Sequence, residues 1–161
     1  RRDDRKVSLK WPNDVLIGTS KVSGVLSELL PGGDAVVVGA GINVTLSAEE
    51  LPVPTATSLH LAGVNAVSMD VVLSSYLRNL VVLYSSFVRH GGDARESGLS
   101  SVVTELCGTL GERVRVELPG GETVIGIAKS IDDSGQLRVE RASDGSCLVV
   151  SAADIIHLGH E

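Results

Sequence analysis

The sequence is poor in aromatic residues, cysteine and long apolar runs, and each scarcity excludes a class of protein. Aromatic side chains make up 2% of the chain, so a packed core must be built mainly from Val, Leu, Ile and Ala. The two cysteines, Cys107 and Cys147, stand alone without a CxxC spacing, which argues against a disulfide framework and a zinc site. No apolar run reaches about 18 residues, so the sequence predicts no membrane span.

An excess of positive charge is also missing. The formal net charge is −6 at pH 7, whereas a surface that binds nucleic acid needs a basic stripe. The basic residues at positions 1–6 are interrupted by Asp3 and Asp4, a pattern typical of a solvated segment. We therefore expect no nucleic-acid binding through this chain. Because no signal peptide is visible, we expect the cytoplasm as its location.

The stretch Lys10–Asp14, with the sequence KWPND, joins two short apolar runs. Pro12 fixes its own φ and pushes Trp11 toward an extended conformation. Asn13 and Asp14 are turn formers whose side chains bond nearby backbone. The pattern predicts a rigid bend between two strands that carries a cation, an indole, an amide and a carboxylate. An ordinary turn around a buried Trp is the alternative interpretation.

Two further segments follow, Lys21–Glu28 (KVSGVLSE) and Ala35–Val44 (AVVVGAGINV). Gly24 lies inside an apolar strand, where glycine marks either a close approach of a ligand or a bulge. The GAG triplet is not a dinucleotide fingerprint, because Val44 stands where the third glycine would be needed. We expect Gly41 to let the end of this strand lie against a ligand, with the Asn43 amide beside it.

Together, the three segments resemble the central block of the catalytic domain of biotin protein ligases, in the order and spacing of that family. The resemblance continues weakly through Ala56–Leu59, and the last third of the chain resembles the small C-terminal barrel of the family. The Gly/Arg-rich loop that closes over biotin in this family is absent, and the chain begins without Met. We therefore expect a C-terminal portion of such a ligase.

The resemblance implies an α+β fold. It predicts part of a class II synthetase-like biotin–lipoate ligase core, a mixed sheet with helices packed on one face, followed by a small SH3-like β-barrel. The predicted domains are residues 1–107 and 108–161. Independently of the resemblance, the residue periodicity predicts nine strands and two core-facing helices. The strands are expected at 6–10, 14–17, 21–29, 35–39, 113–118, 123–131, 136–141, 146–150 and 154–158, and the helices at 69–90 and 93–106.

The resemblance also implies a reaction and its residues. Biotin is activated by ATP and Mg²⁺ to biotinyl-AMP and then transferred to a lysine of a biotin carboxyl-carrier protein domain. Lys10 and Lys21 are predicted as the catalytic cations. Asp14 is expected either to help place Mg²⁺ or only to cap the bend. The residues predicted to bind substrate and nucleotide are Lys21, Gly24, Asn13, Asp14, Gly41 and Asn43.

Other interpretations of the sequence remain open. A lipoate ligase or octanoyl transferase shares the fold, although KWPND with the KVSG strand favours biotin. A non-catalytic fragment, whose barrel is a docking module, is an alternative of another class. A serine hydrolase is disfavoured because GxSxG is absent. Members of the resembled family often dimerise through a sheet edge, so a homodimer is also expected.

Overall fold

A computed structural model describes residues 6–64 and 68–158. The predicted solvated segment at the start of the chain therefore lies almost entirely outside the described residues. The structure divides into two compact units, and the division falls inside a helix, between Tyr76 and Leu77. Each unit contains one antiparallel sheet. The predicted domain boundary at residues 107 and 108 stays a prediction.

The first sheet is a four-stranded meander. Its strands are β1 (Val7–Lys10), β2 (Asp14–Ile17), β3 (Ser20–Leu29) and β4 (Val36–Ile42), and they lie in chain order. The sheet was expected to be mixed, but every described strand pair in it is antiparallel. Short turns join consecutive strands, and a parallel pair would need a longer crossover. The apolar side chains buried in this unit are Trp11, Leu16, Val22 and Ala56.

The two helices are α1 (Met69–Arg89) and α2 (Leu99–Leu106). The expectation that the apolar stripe of α1 faces a core is wrong for this structure, since no residue of α1 is buried. An amphipathic helix needs a partner to cover its stripe, and sequence periodicity does not say where that partner is. The second helix begins later than predicted, because Gly98 adopts a left-handed φ of 78° directly before it.

Helix α1 is also long and apolar enough to span a membrane when judged by length and composition alone. The sequence predicts no span, because polar residues keep every apolar run shorter than about 18 residues. Arg78 lies at the middle of this helix. An arginine at the centre of a bilayer costs about 2.5–3.5 kcal/mol, which argues against a span.

The second sheet has five short strands, β5 (Arg113–Glu117), β6 (Thr123–Ile131), β7 (Leu137–Arg141), β8 (Cys147–Val150) and β9 (Asp154–His157). Their order is β8-β7-β6-β5-β9, and every neighbouring pair is antiparallel. Alternate side chains form its core, as the period of two predicts. The buried ones are Val114, Val116, Val124, Ala128, Leu137, Val139, Val150 and Ile155.

This second sheet does not close into the predicted barrel in the described residues. Strand β9 pairs with β5, and β8 pairs with β7, so β8 and β9 end the sheet on opposite sides. Gly126 lies where β6 meets β7. A Cβ atom there would collide with the Glu140 carbonyl oxygen and the Val139 side chain, so a glycine is required by this close approach.

Candidate functional site

Four of the predicted site residues form one row across the first sheet. Lys10 of β1 pairs with Asp14 of β2, Asp14 pairs with Gly24 of β3, and Gly24 pairs with Gly41 of β4. Residues directly opposite one another on neighbouring strands carry their side chains on the same face of a sheet. The row therefore places an ammonium and a carboxylate beside two positions that have no side chain.

Lys21 joins this row because of an irregularity in β3. Lys21 and Gly24 are three positions apart, so a regular strand would direct them to opposite faces. The register shifts, however, so that Ser23 pairs with Val15 and Lys21 with Leu16. Val22 is the extra residue of this bulge, and a bulge re-aims the side chains around it.

The bulge brings Lys21 into an ion pair. Its Nζ lies 2.6 Å from Oδ1 of Asp14, with the lysine side chain 45% exposed and the aspartate side chain 19% exposed. An ion pair that is this accessible to water contributes about 0–1 kcal/mol to stability. Lys21 can therefore leave Asp14 for another partner at a small cost in free energy. The ammonium is therefore available to an anionic ligand.

The KWPND bend is fixed to β3 by Asn13. Its Nδ2 donates a hydrogen bond to the Val25 carbonyl oxygen at 2.7 Å, and its own carbonyl accepts one from the Val25 amide at 2.9 Å. Trp11 is buried at 6% exposure, and the peptide bond between Trp11 and Pro12 is cis. Of the two roles predicted for Asn13, these contacts support the one that holds the bend.

The backbone of Lys21 is held by a segment to which sequence analysis assigned no role. The Lys21 amide donates to the Thr55 carbonyl at 2.9 Å, and the Thr57 amide donates to the Lys21 carbonyl at 2.8 Å. These bonds form an isolated parallel bridge between Lys21 and Ala56. The only signal for this segment was the weak family resemblance at Ala56–Leu59, because loop residues carry no periodicity.

Asn43 lies where this segment meets the sheet. Its Nδ2 donates to the Thr57 carbonyl at 2.9 Å, its amide donates to the Val22 carbonyl at 2.9 Å, and its carbonyl accepts from the Leu59 amide at 2.9 Å. The sequence predicts that the side-chain amide of Asn43 lies beside a ligand. In this structure, that amide bonds to backbone beside Lys21.

Gly39 and Gly41 of β4 leave a strip without side chains on the face of the row. Neither Gly39 nor Gly41 has a left-handed φ. A Cβ atom at Gly41 would meet nothing within 4 Å, and one at Gly39 only the Leu26 carbonyl oxygen at 3.9 Å. Neither backbone conformation nor packing requires glycine at these positions, so the strip is open to a flat ligand. Gly39 was not among the predicted site residues.

The described residues contain no group of three or more His, Cys, Asp or Glu side chains that could hold a metal ion by themselves. A cation that bridges phosphates needs only one or two protein carboxylates, and Asp14 can supply one. A single carboxylate such as Asp14 suits a cation that is held mainly by phosphate oxygens.

Comparisons with known proteins point to one family. A family model described as "Biotin/lipoate A/B protein ligase family" matches residues 1–44, and one described as "Biotin protein ligase C terminal domain" matches residues 109–158. The "Biotin--[acetyl-CoA-carboxylase] ligase" of Mycobacterium tuberculosis is 41% identical over 157 residues, which are 95% of this chain and 54% of that protein. The chain belongs to the biotin protein ligase family.

Other members of the biotin protein ligase family extend the match. The "Bifunctional ligase/repressor BirA" of Bacillus spizizenii is 30% identical over 84% of this chain and 42% of its own length. A solved structure of the Aquifex aeolicus ligase in complex with biotin and ATP is 26% identical, with a TM-score of 0.76 over 94% of this chain and 62% of that chain. The family resemblance predicted from the motifs is thereby confirmed. The chain spans about half the length of the curated relatives it matches.

Proposed function

We propose that this chain is part of a biotin protein ligase that forms biotinyl-AMP and then biotinylates a carrier protein. In the first step, a biotin carboxylate oxygen attacks the α-phosphorus of ATP, and the bond to pyrophosphate breaks. In the second step, the amine of an acceptor lysine attacks the acyl carbon of the mixed anhydride. AMP leaves, the nitrogen loses a proton and an amide forms. The single observation that carries the proposal is the row of Lys10, Asp14, Gly24 and Gly41, with Lys21 beside it.

The chemistry asks for positive charge and positioning rather than for a protein nucleophile. An ammonium about 4 Å from a phosphate oxygen contributes about 4 kcal/mol at an effective dielectric constant near 20. Lys21 is the cation for the biotin carboxylate and the α-phosphate, and Lys10 is a second cation at the adenylate. When the Lys21 ammonium leaves Asp14 to pair with an anionic ligand, the Asp14 carboxylate becomes free to bind the Mg²⁺ of the nucleotide.

The open strip supports the binding part of the proposal. The space above Gly41 is empty, so the rings of biotin or of the adenylate can lie directly on the backbone there, beside the Lys21 and Asp14 side chains that end over Gly24. Asn13 acts by holding the bend, and Asn43 follows β4 directly and lies beside Val22 of β3. These positions together define the proposed substrate and nucleotide site.

Partners and location follow from the same proposal. The acceptor is a biotin carboxyl-carrier protein domain of a carboxylase, a homodimer is proposed as the assembly, and the cytoplasm is proposed as the location. The negative net charge supports the absence of a nucleic-acid partner for this chain.

The test of the proposed roles is a pair of lysine substitutions. Lys21→Ala should lower the rate of biotinyl-AMP formation by about two orders of magnitude or more, since it removes the cation at the reacting phosphate. Lys129→Ala is the matched control, because Lys129 is also a half-exposed lysine in an ion pair, with Glu140 of the second sheet at 3.6 Å. Near-normal adenylation by Lys21→Ala in a folded sample would refute the assignment.

The choice of substrate acid and the length of the protein distinguish a biotin ligase from a lipoate ligase relative and from a docking module. Adenylation of lipoate or octanoate in preference to biotin would favour a lipoate ligase relative. The assay should use this chain and also the longest form of the protein that carries it. Binding of the carrier domain by a folded sample that adenylates nothing in either form would favour a docking module.

A further inference from the structure

The segment Thr55–Thr57 takes the place of β4 as the neighbour of β3 at Lys21. Strand β4 pairs with β3 as far as Ser23 and Ile42, and the Asn43 amide then bonds to the Val22 carbonyl. Beyond that point, the Lys21 amide and carbonyl bond to Thr55 and Thr57. The backbone that carries the ammonium is therefore held between β2 and this segment.

The side chain of Asn43 ties this segment to the end of β4. Its Nδ2 reaches the Thr57 carbonyl oxygen at 2.9 Å in a partly buried position. Thr57 is the residue whose amide bonds to the Lys21 carbonyl at 2.8 Å. A chain of two hydrogen bonds thus runs from the Asn43 side chain through one residue to the backbone of Lys21.

We propose that Asn43 is a positioning residue for Lys21 and acts through Thr57. The inference rests on the proposed function, because it assigns Asn43 a task in placing the cation for adenylate formation. Losing the Nδ2 donor would leave the Thr57 carbonyl without that partner. The segment Thr55–Thr57, which bonds to the backbone of Lys21, would then be held less firmly. A displacement of 1 Å at a reacting group can cost about 100-fold in rate.

A direct contact between Asn43 and the nucleotide is the competing role, and kinetics separate the two. Loss of a direct binding contact raises the KM for ATP, and its effect on the rate is the same whether or not Lys21 is present. Loss of positioning lowers kcat by about tenfold with little change in KM, and only while Lys21 is present. The experiment compares Asn43→Ala, Lys21→Ala and the double variant in the form of the protein that makes biotinyl-AMP.

We expect Asn43→Ala to slow adenylation by about tenfold in the presence of Lys21 and by less than about twofold in the Lys21→Ala background. Equal losses in both backgrounds, or a higher KM for ATP with unchanged kcat, would overturn the proposal. If wild type and Lys21→Ala have the same rate, the proposed role of Lys21 fails instead.

Amide hydrogen exchange provides a second measurement that needs no activity. Asn43→Asp keeps the size of the side chain but removes the Nδ2 donor. We expect the Lys21 and Thr57 amides to exchange about tenfold faster in this variant than in wild type, because local opening sets exchange. Unchanged exchange at both amides would overturn the proposal.

Ser58→Ala is the matched control for this measurement. Ser58 is fully buried in the same loop, and its hydroxyl bonds to the Leu46 carbonyl at 2.7 Å and the Leu61 amide at 3.1 Å. Ser58 is next to Thr57 in the chain, but these side-chain bonds join it to Leu46 and Leu61 and not to Lys21 or Asn43. We expect Ser58→Ala to leave exchange of the Lys21 amide unchanged, and equal acceleration by both variants would overturn a specific link to Asn43.

Discussion

Replacing Gly24 by alanine tests whether the position of the Lys21 ammonium matters independently of stability. A Cβ atom at Gly24 would lie 3.0 Å from Nζ and 3.1 Å from Cε of Lys21, and 3.3 Å from Oδ1 of Asp14. These neighbours are the ends of two side chains rather than backbone. The substitution therefore moves the ion pair by a few tenths of an ångström and leaves the strands in place.

The expected change in the free energy of unfolding is close to zero. An alanine at a glycine position with compatible φ stabilises a protein by about 0.4–1 kcal/mol through the unfolded chain. The ion pair of Lys21, which is 45% exposed, contributes about 0–1 kcal/mol, so its distortion removes a similar amount at most. Adenylation should nevertheless slow by about tenfold, because reaction rate depends steeply on the position of the cation.

Thermal unfolding and biotinyl-AMP formation should be measured on the same samples. Gly32→Ala is the matched control, since a Cβ atom there would lie 2.9 Å from the Asp34 carboxylate in the turn between β3 and β4. Gly126→Ala is the opposite extreme, because the new Cβ atom would meet backbone and should destabilise the second sheet by about 1–3 kcal/mol. A normal adenylation rate for Gly24→Ala, or a large loss of its stability, would refute the reasoning.

Three further substitutions test other parts of the structure. Trp11→Ala should lower the free energy of unfolding by about 3–5 kcal/mol, measured by urea denaturation with circular dichroism, because the indole is buried. Asp14→Asn should impair use of ATP by about tenfold and change stability by less than about 1 kcal/mol; normal turnover with a large loss of stability would favour a capping role. The backbone amides of Glu96 and Arg95 hold the pKa of Asp93 below its ordinary value. Its stabilisation is therefore present above the unfolded pKa and lost as pH falls through the folded pKa. Asp93→Ala should lower the Tm at neutral pH, and the difference from wild type should vanish in strong acid.

Local patterns were sufficient to predict most of the strands. The alternation around Val114 and Val116 gives a strand at the predicted place. The apolar run predicted as a strand at 35–39 forms the first part of β4, which continues to Ile42. Turn glycines and the KWPND bend also lie where the sequence indicates. Family motifs, rather than periodicity, led to the residues of the row.

The features that sequence reasoning missed depend on tertiary pairing. The bulge at Val22 follows from the register between β2 and β3, which no local propensity encodes. The bond between Asn43 and Thr57 joins residues 14 positions apart through a loop. The periodicity of α1 predicts an apolar stripe and cannot say what covers it. The left-handed Gly98 ends the turn after Asp93, so the helix predicted to begin at residue 93 begins at Leu99.

A crystal structure of the active protein with a hydrolysis-resistant biotinyl-AMP analogue would test the central claim most directly. The account predicts that the analogue lies over the strip at Gly39 and Gly41, and that the Lys21 ammonium has left Asp14 for an oxygen of the acyl-phosphate group. An analogue bound against the second sheet, or a Lys21 ammonium that remains on Asp14 and away from the ligand, would contradict it.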